Sequence, residues 1–231
     1  MTASDLLKQR CDTVRERVAQ ASDKAGIDPA AITLVAISKT RPLAEIEAIV
    51  ELGFYELGES RVQETEQKFA QKRPDCRLHL VGHLQSNKVR KAVALFDMIQ
   101  SVDSVKLACL LDRETAAQGR RLPILLEVNS SGEEQKYGFP PDAVEAAATE
   151  IGQLANLELA GLMTVGPLTD SESEIRKAFA ATCSLYERLQ SSGACPDFRI
   201  LSMGMSNDFP LAIAEGANML RLGTILFGPR S

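Results

Sequence analysis

Ile32-Thr33-Leu34-Val35-Ala36-Ile37, followed at once by Ser38-Lys39-Thr40-Arg41-Pro42, is the stretch on which the reading of this chain turns. A short β-branched, apolar run of this kind reads as a strand buried on both faces, and Arg41-Pro42 opens a helical segment that reaches Val50. A nucleotide-binding doubly wound sheet would set a glycine-rich turn directly after its first strand. None follows Ile37, which counts against that alternative and leaves a lysine where the glycines would stand.

Outward from this unit the same pattern recurs. Before it, Leu6, Leu7, Val14 and Val18 lie on one stripe of an amphipathic leading helix that Gly26 and Pro29 end. After it, strands are expected at 54–57, 77–81, 98–101, 124–128, 157–162, 199–201 and 219–222. Helices are expected between them at 63–71, 87–95, 104–118, 142–154, 172–190 and 208–215. With 32–37 counted, eight strands alternate with helices without a linker or a shift of composition. This predicts an α/β protein, a single (β/α)8 TIM barrel with an extra N-terminal helix, as one domain over 1–231.

Composition narrows the classes of function. A net charge of -5 supplies no basic face for nucleic acid, although one local pocket can still be positive. No stretch approaches the roughly 20 apolar residues that span a bilayer, and Met1 to Gln9 is not a secretory signal. Five cysteines without a pairing motif suggest reduced thiols in a cytoplasm, with neither a disulfide frame nor a metal site.

Barrel chemistry gathers at the carboxyl ends of the strands, and there this chain turns polar. The first strand ends in Lys39, the second in Gly58-Glu59-Ser60-Arg61 and the third in Gly82-His83-Leu84-Gln85-Ser86-Asn87. The seventh runs into Ser202-Met203-Gly204-Met205-Ser206, and the eighth into Arg221-Leu222-Gly223-Thr224. A lysine held at a barrel mouth can serve as an amine nucleophile toward an aldehyde; the plain alternative is a solvated lysine opening the next helix. Ser202, Gly204 and Ser206 before a helix, with Gly223-Thr224 nearby, suit a phosphate, the alternative being ordinary capping. Arg221 suits a ring nitrogen or a barrel salt bridge with Glu59 or another acid. An amine, a phosphate cradle and an arginine together suggest a phosphorylated aldehyde, and pyridoxal 5'-phosphate meets all three needs. Lys88, Arg90 and Lys91 read as a solvated helix face, although an interaction protein would use such a face. His83 reads as structural, and Asn129 and Asp208 stay unassigned.

The chain resembles the pyridoxal phosphate homeostasis protein family along nearly its whole length. The resemblance is carried by Val35-Ala36-Ile37-Ser38-Lys39-Thr40, Gly58-Glu59-Ser60-Arg61-Val62-Gln63-Glu64 and Gly82-His83-Leu84-Gln85-Ser86-Asn87-Lys88. Gly161-Leu162-Met163-Thr164, Leu201-Ser202-Met203-Gly204-Met205-Ser206 and Arg221-Leu222-Gly223-Thr224 extend it. It implies a barrel like the alanine racemase N-terminal domain, with pyridoxal 5'-phosphate held as a Schiff base on Lys39. It also implies cofactor contacts at Ser60, Ser202, Met203, Ser206, Arg221, Gly223 and Thr224. The family carries asparagine at the position of Ser60, so the chain departs from the pattern there.

The resemblance further implies vitamin B6 homeostasis by storage, protection or delivery, with no catalytic residue and with cofactor-dependent apo-enzymes as recipients. A monomer that engages neither nucleic acid nor membrane is expected. Alanine racemases add a β domain that brings a tyrosine base; here the chain ends at Ser231, and Tyr55, Tyr137 and Tyr186 fall outside the strand-end motifs. The alternatives are a small amino-acid racemase and an imine-forming aldolase.

Overall fold

Eight parallel strands pair in chain order and close on themselves. They are β1 (Thr33–Ile37), β2 (Glu56–Glu59), β3 (Arg77–Leu80), β4 (Met98–Val102), β5 (Leu122–Val128), β6 (Leu157–Thr164), β7 (Ile200–Ser202) and β8 (Met219–Leu222). β8 returns to β1, with Thr33 opposite Met219 and Ala36 opposite Leu222. A computed structural model of the protein describes residues 2–133, 135–193 and 195–229. Helices separate the strands: α1 (Ala3–Ala25), α2 (Leu43–Glu51), α3 (Val62–Lys68), α4 (Val89–Leu95), α5 (Val105–Ala117), α6 (Val144–Ile151), α7 (Glu172–Ser191), α8 (Phe209–Ala214) and α9 (Thr224–Phe227). Among the described residues no helix is long and apolar enough to cross a membrane.

The two-residue period of the strands sorts the apolar side chains into two layers. Ala36, Leu78, Leu80, Leu201, Leu220 and Leu222 join the large cluster between strands and helices, which contains the fully buried rings of Phe96, Phe179 and Phe209. Burying one such ring stabilises the fold by about 2–3 kcal/mol. Val35, Met98, Leu125, Ala160, Met163 and Met219 form a separate small cluster inside the barrel. Polar side chains complete that interior: His79, Gln100, Ser202 and Arg221 are all buried.

The leading helix starts with a reciprocal cap, Thr2 accepting from the Asp5 amide and donating its own amide to the Asp5 carboxylate. It ends at Gly26, whose φ of 70° places it in the left-handed region. Leu7, Cys11, Val14 and Val18 turn inward, and α1 lies along α8 and α9, where Arg10 donates to the Phe227 carbonyl at 2.8 Å.

The expected elements are present with shifted ends. β2 lies two residues later than 54–57, since pairing with β1 starts where Val35 meets Glu56. Its inward positions are Glu56 and Gly58, a pattern that does not read as a strand. The segments expected at 87–95 and 142–154 open instead with single 3-10 turns, Ser86–Lys88 and Pro141–Ala143. The last apolar segment forms the short helix α9.

Between β5 and β6 the register slips near Ile124 and Leu125, opposite Gly161. A Cβ at Gly161 would lie 1.8 Å from the Ile200 carbonyl oxygen and 2.7 Å from its carbon, both backbone atoms that cannot swing aside. Gly161→Ala is therefore expected to destabilise the protein by about 3 kcal/mol, read as a lower urea midpoint. An unchanged midpoint would show that β6 and β7 can part without cost.

Candidate functional site

The carboxyl ends of β1, β7 and β8 and the loop after β6 surround a cavity of about 750 Å³. Lys39, Arg221, Ser206, Gly223 and Thr224 all line it, together with Ile37. Lys39 is half-buried, two residues beyond the end of β1. Opposite, the Ser206 hydroxyl oxygen accepts from the amides of Gly223 at 3.3 Å and Ile225 at 3.2 Å. This ties the loop after β7 to the start of α9 and makes a corner of hydroxyl and amide groups. A Cβ at Gly223 would meet Ile37 at 3.4 Å, an ordinary contact, so the glycine is not forced by packing but leaves this side of the corner open.

Arg221 forms the floor of the cavity. It is 4% exposed, donating to the Ser202 hydroxyl at 2.7 Å and to the Thr164 carbonyl at 2.6 Å. Burial lowers its pKa to about 10 against the pull of Glu127 and Asp208, so it remains a cation at neutral pH. Asp208 also accepts from the Met205 amide, and burial raises its pKa despite that bond and the nearby Arg221.

Below Arg221 a single file of hydrogen bonds runs down the barrel. The Ser202 hydroxyl donates to Gln100 Oε1 at 2.7 Å, and Gln100 Nε2 meets His79 Nδ1 at 2.8 Å. His79 Nε2 reaches the Glu56 carboxylate at the amino-terminal end of the barrel. The network assigns the histidine proton to Nε2, since Nδ1 accepts from the Gln100 amide. Every donor in the file points from Arg221 toward the amino-terminal end of the barrel.

Not all the expected residues meet. Lys39, Ser206, Arg221, Gly223 and Thr224 share the cavity, whereas Ser60, Ser202 and Met203 are absent from its lining. Ser202 is fully buried and holds Arg221 from beneath. Met203 is fully buried among the residues that pack against the helices. Ser60 stands beside Gly82, where a Cβ would lie 2.4 Å from the Ser60 carbonyl oxygen. Asn129 braces its own loop, donating to the Glu133 carbonyl at 2.9 Å and accepting from the Gly132 amide at 3.1 Å. His83 bonds Asp103 at 2.9 Å and stacks on Tyr137 with ring centroids 3.7 Å apart. One tyrosine thus reaches the mouth through the loop after β5, beside a smaller cavity of about 190 Å³ that Glu127 and Asn129 line.

Glu127 escaped the reading of the sequence. Its only sign is a lone charge within the apolar run of β5. Burial, with Asp103 adding to it and Arg221 opposing, raises its pKa from 4.5 to about 7. The folded protein then holds this proton to a higher pH than the unfolded chain does. Stability is lost as pH climbs from 4.5 to about 7, and the loss is complete above that. Relative to wild type, Glu127→Gln should gain about 2 kcal/mol between pH 5 and pH 8, measured by urea unfolding at both. A constant difference would mean that Glu127 titrates as an ordinary carboxylate.

The donor set fits an anionic aldehyde. One wall carries an amine, the floor carries a cation, and the far corner presents the hydroxyls of Ser206 and Thr224 beside a glycine. The family model described as "Alanine racemase, N-terminal domain" matches residues 10–231. A pyridoxal phosphate homeostasis protein of Pseudomonas aeruginosa is 38% identical over 219 residues, covering 94% of this chain and 93% of the relative. The structure of PipY from Synechococcus elongatus PCC7942 with PLP bound superposes with a TM-score of 0.79 at 40% identity, covering 93% of this chain and 100% of that one. An alanine racemase of Clostridium difficile shares the fold, with a TM-score of 0.77 at 17% identity, covering 98% of this chain and 57% of the racemase.

Proposed function

The chain belongs to the pyridoxal phosphate homeostasis proteins, and from that premise we propose that it binds pyridoxal 5'-phosphate at the mouth of its barrel and serves the upkeep of that cofactor without turning over a substrate. The observation that carries this reading is the shared cavity of Lys39, Arg221, Ser206, Gly223 and Thr224. Lys39 supplies the amine that holds the aldehyde carbon. Ser206, Gly223 and Thr224 receive the phosphate, and Arg221 stands toward the ring nitrogen, with Ser202 acting through Arg221. When bound, the cofactor supplies an electrophilic carbon and an electron-withdrawing ring.

The absence of turnover is supported by Arg221. A buried cation beside the ring nitrogen disfavours its protonation, which weakens the ring as an electron sink. Storage, protection or delivery to cofactor-dependent apo-enzymes is the use consistent with this chemistry. A reducing cytoplasm suits five free cysteines, two of them buried.

The test is an absorption spectrum of the purified protein before and after borohydride, followed by mapping of the labelled peptide. The expected result is a visible band that reduction removes and a label on the peptide containing Lys39. A label elsewhere would overturn the site. Incubation with single-enantiomer amino acids should give no racemisation beyond that of free cofactor, and faster turnover would establish an enzyme.

A further inference from the structure

Among the described residues, Thr40 is the one non-glycine with positive φ, at 65°. A β-branched side chain resists that conformation, so the surroundings must hold it there. The residue it follows is Lys39. The turn carrying this lysine is gripped by three charged side chains from the neighbouring strand and helix.

Glu59 ends β2, and Glu64 and Lys68 lie one helical turn apart on α3. Glu59 has a fully buried side chain and Lys68 one that is 9% exposed. The Lys68 ammonium donates to Glu59 Oε1 at 2.6 Å, to Glu64 Oε1 at 3.2 Å and to the Ser38 carbonyl at 2.9 Å. The Ser38 hydroxyl donates to Glu59 Oε1 at 2.7 Å, and the Thr40 amide donates to Glu64 Oε1 at 2.6 Å. The peptide groups on both sides of Lys39 are therefore pinned by one cluster. Burial raises the pKa of Glu59 against its bonds to Lys68 and Ser38, and its Oε2 has no hydrogen-bond partner among the described residues. Pure packing would favour an apolar residue in this layer.

We propose that Lys68, Glu64 and Glu59 are positioning residues for Lys39: by holding the Ser38 carbonyl and the Thr40 amide they fix the direction in which the lysine stem leaves the backbone toward the cavity. The inference rests on Lys39 being the amine that takes the cofactor. None of the three lines the cavity, so their effect is on the approach of the amine and not on affinity for the ring or the phosphate.

The test uses full-length Lys68→Met and Glu64→Ala. One measurement is the rate at which pyridoxal 5'-phosphate becomes covalently attached, followed by the visible band and by borohydride trapping. The other is affinity for pyridoxine 5'-phosphate, which keeps the ring and the phosphate but has an alcohol in place of the aldehyde. Attachment should slow by about 10- to 100-fold, while pyridoxine 5'-phosphate affinity changes by less than about twofold. Glu64→Gln keeps an acceptor for the Thr40 amide and should restore most of the rate lost in Glu64→Ala. Should Lys68→Met fail to fold, the two Glu64 variants decide, since that side chain is 28% exposed. Wild-type attachment rates in the variants, or parallel loss of rate and affinity, would overturn the proposal. Failure of the wild-type protein to attach cofactor at Lys39 would instead overturn the reading of the site.

Discussion

Lys39→Ala is expected to lose covalently attached cofactor completely, with no visible band and no labelled peptide after borohydride. The expectation follows from the cavity's lining, in which Lys39 is the only lysine among the described residues. Lys68 is near in space, donating to the Ser38 carbonyl at 2.9 Å, but it is committed to Glu59 and Glu64 and does not line the cavity. Lys136 lines the other, smaller cavity and donates to the Gly166 carbonyl at 3.0 Å. The variant should still bind pyridoxine 5'-phosphate, since the phosphate corner and Arg221 are untouched. Gel filtration with the ligand present would show this. Persistence of a trapped adduct would mean that another amine is the one that reacts.

Arg221→Leu should carry the second large effect, and it divides into two parts. Removing a cation that is 4% exposed leaves Glu127 and Asp208 without their buried counter-charge, and strands the Thr164 carbonyl. A stability loss of about 3 kcal/mol is expected from this alone. Cofactor retention should fall about tenfold or more for a different reason, the loss of a cation toward the ring. A double variant separates the two. Arg221→Leu with Glu127→Gln relieves the abandoned acid and should recover a good part of the stability, while retention stays low. Recovery of both together would show that Arg221 serves the fold and not the ligand.

The barrel was legible because most of its strands are short, largely apolar runs while the segments that follow them are polar. The run from Ile32 to Ile37 reads as a strand whatever its partners, and the polar segments that follow β1, β7 and β8 converge because a closed barrel brings them together. What stayed hidden depends on which way single side chains face. Ser202 and Ser206 look equivalent in sequence, yet Ser202 is the last residue of β7 and points into the lumen, whereas Ser206 is past the strand and reaches the rim. Glu127, Gln100 and His79 each sit inside an apolar strand, and their meaning comes from partners on other strands. Glu59 reads only as part of the polar end of the second strand, and Lys68 carries no sign at all; only the hydrogen bonds from α3 to the turn after β1 reveal what they and Glu64 hold.

The hydrogen-bond file beneath Arg221 gives the barrel a polarity along its axis. Its bond dipoles are aligned, their positive ends toward Glu56 and their negative ends toward the guanidinium, so each terminus meets the charge it favours. Burial alone would raise the pKa of Glu56, but His79 and Arg77 more than offset it and hold the carboxyl below its usual range. The acceptor at the amino-terminal end and the donor at the mouth thus fix the direction in which every bond between them points. With an amide in place of the carboxylate, as in Glu56→Gln, that end would be able to donate as well as accept, and the direction of the file would no longer be fixed from below.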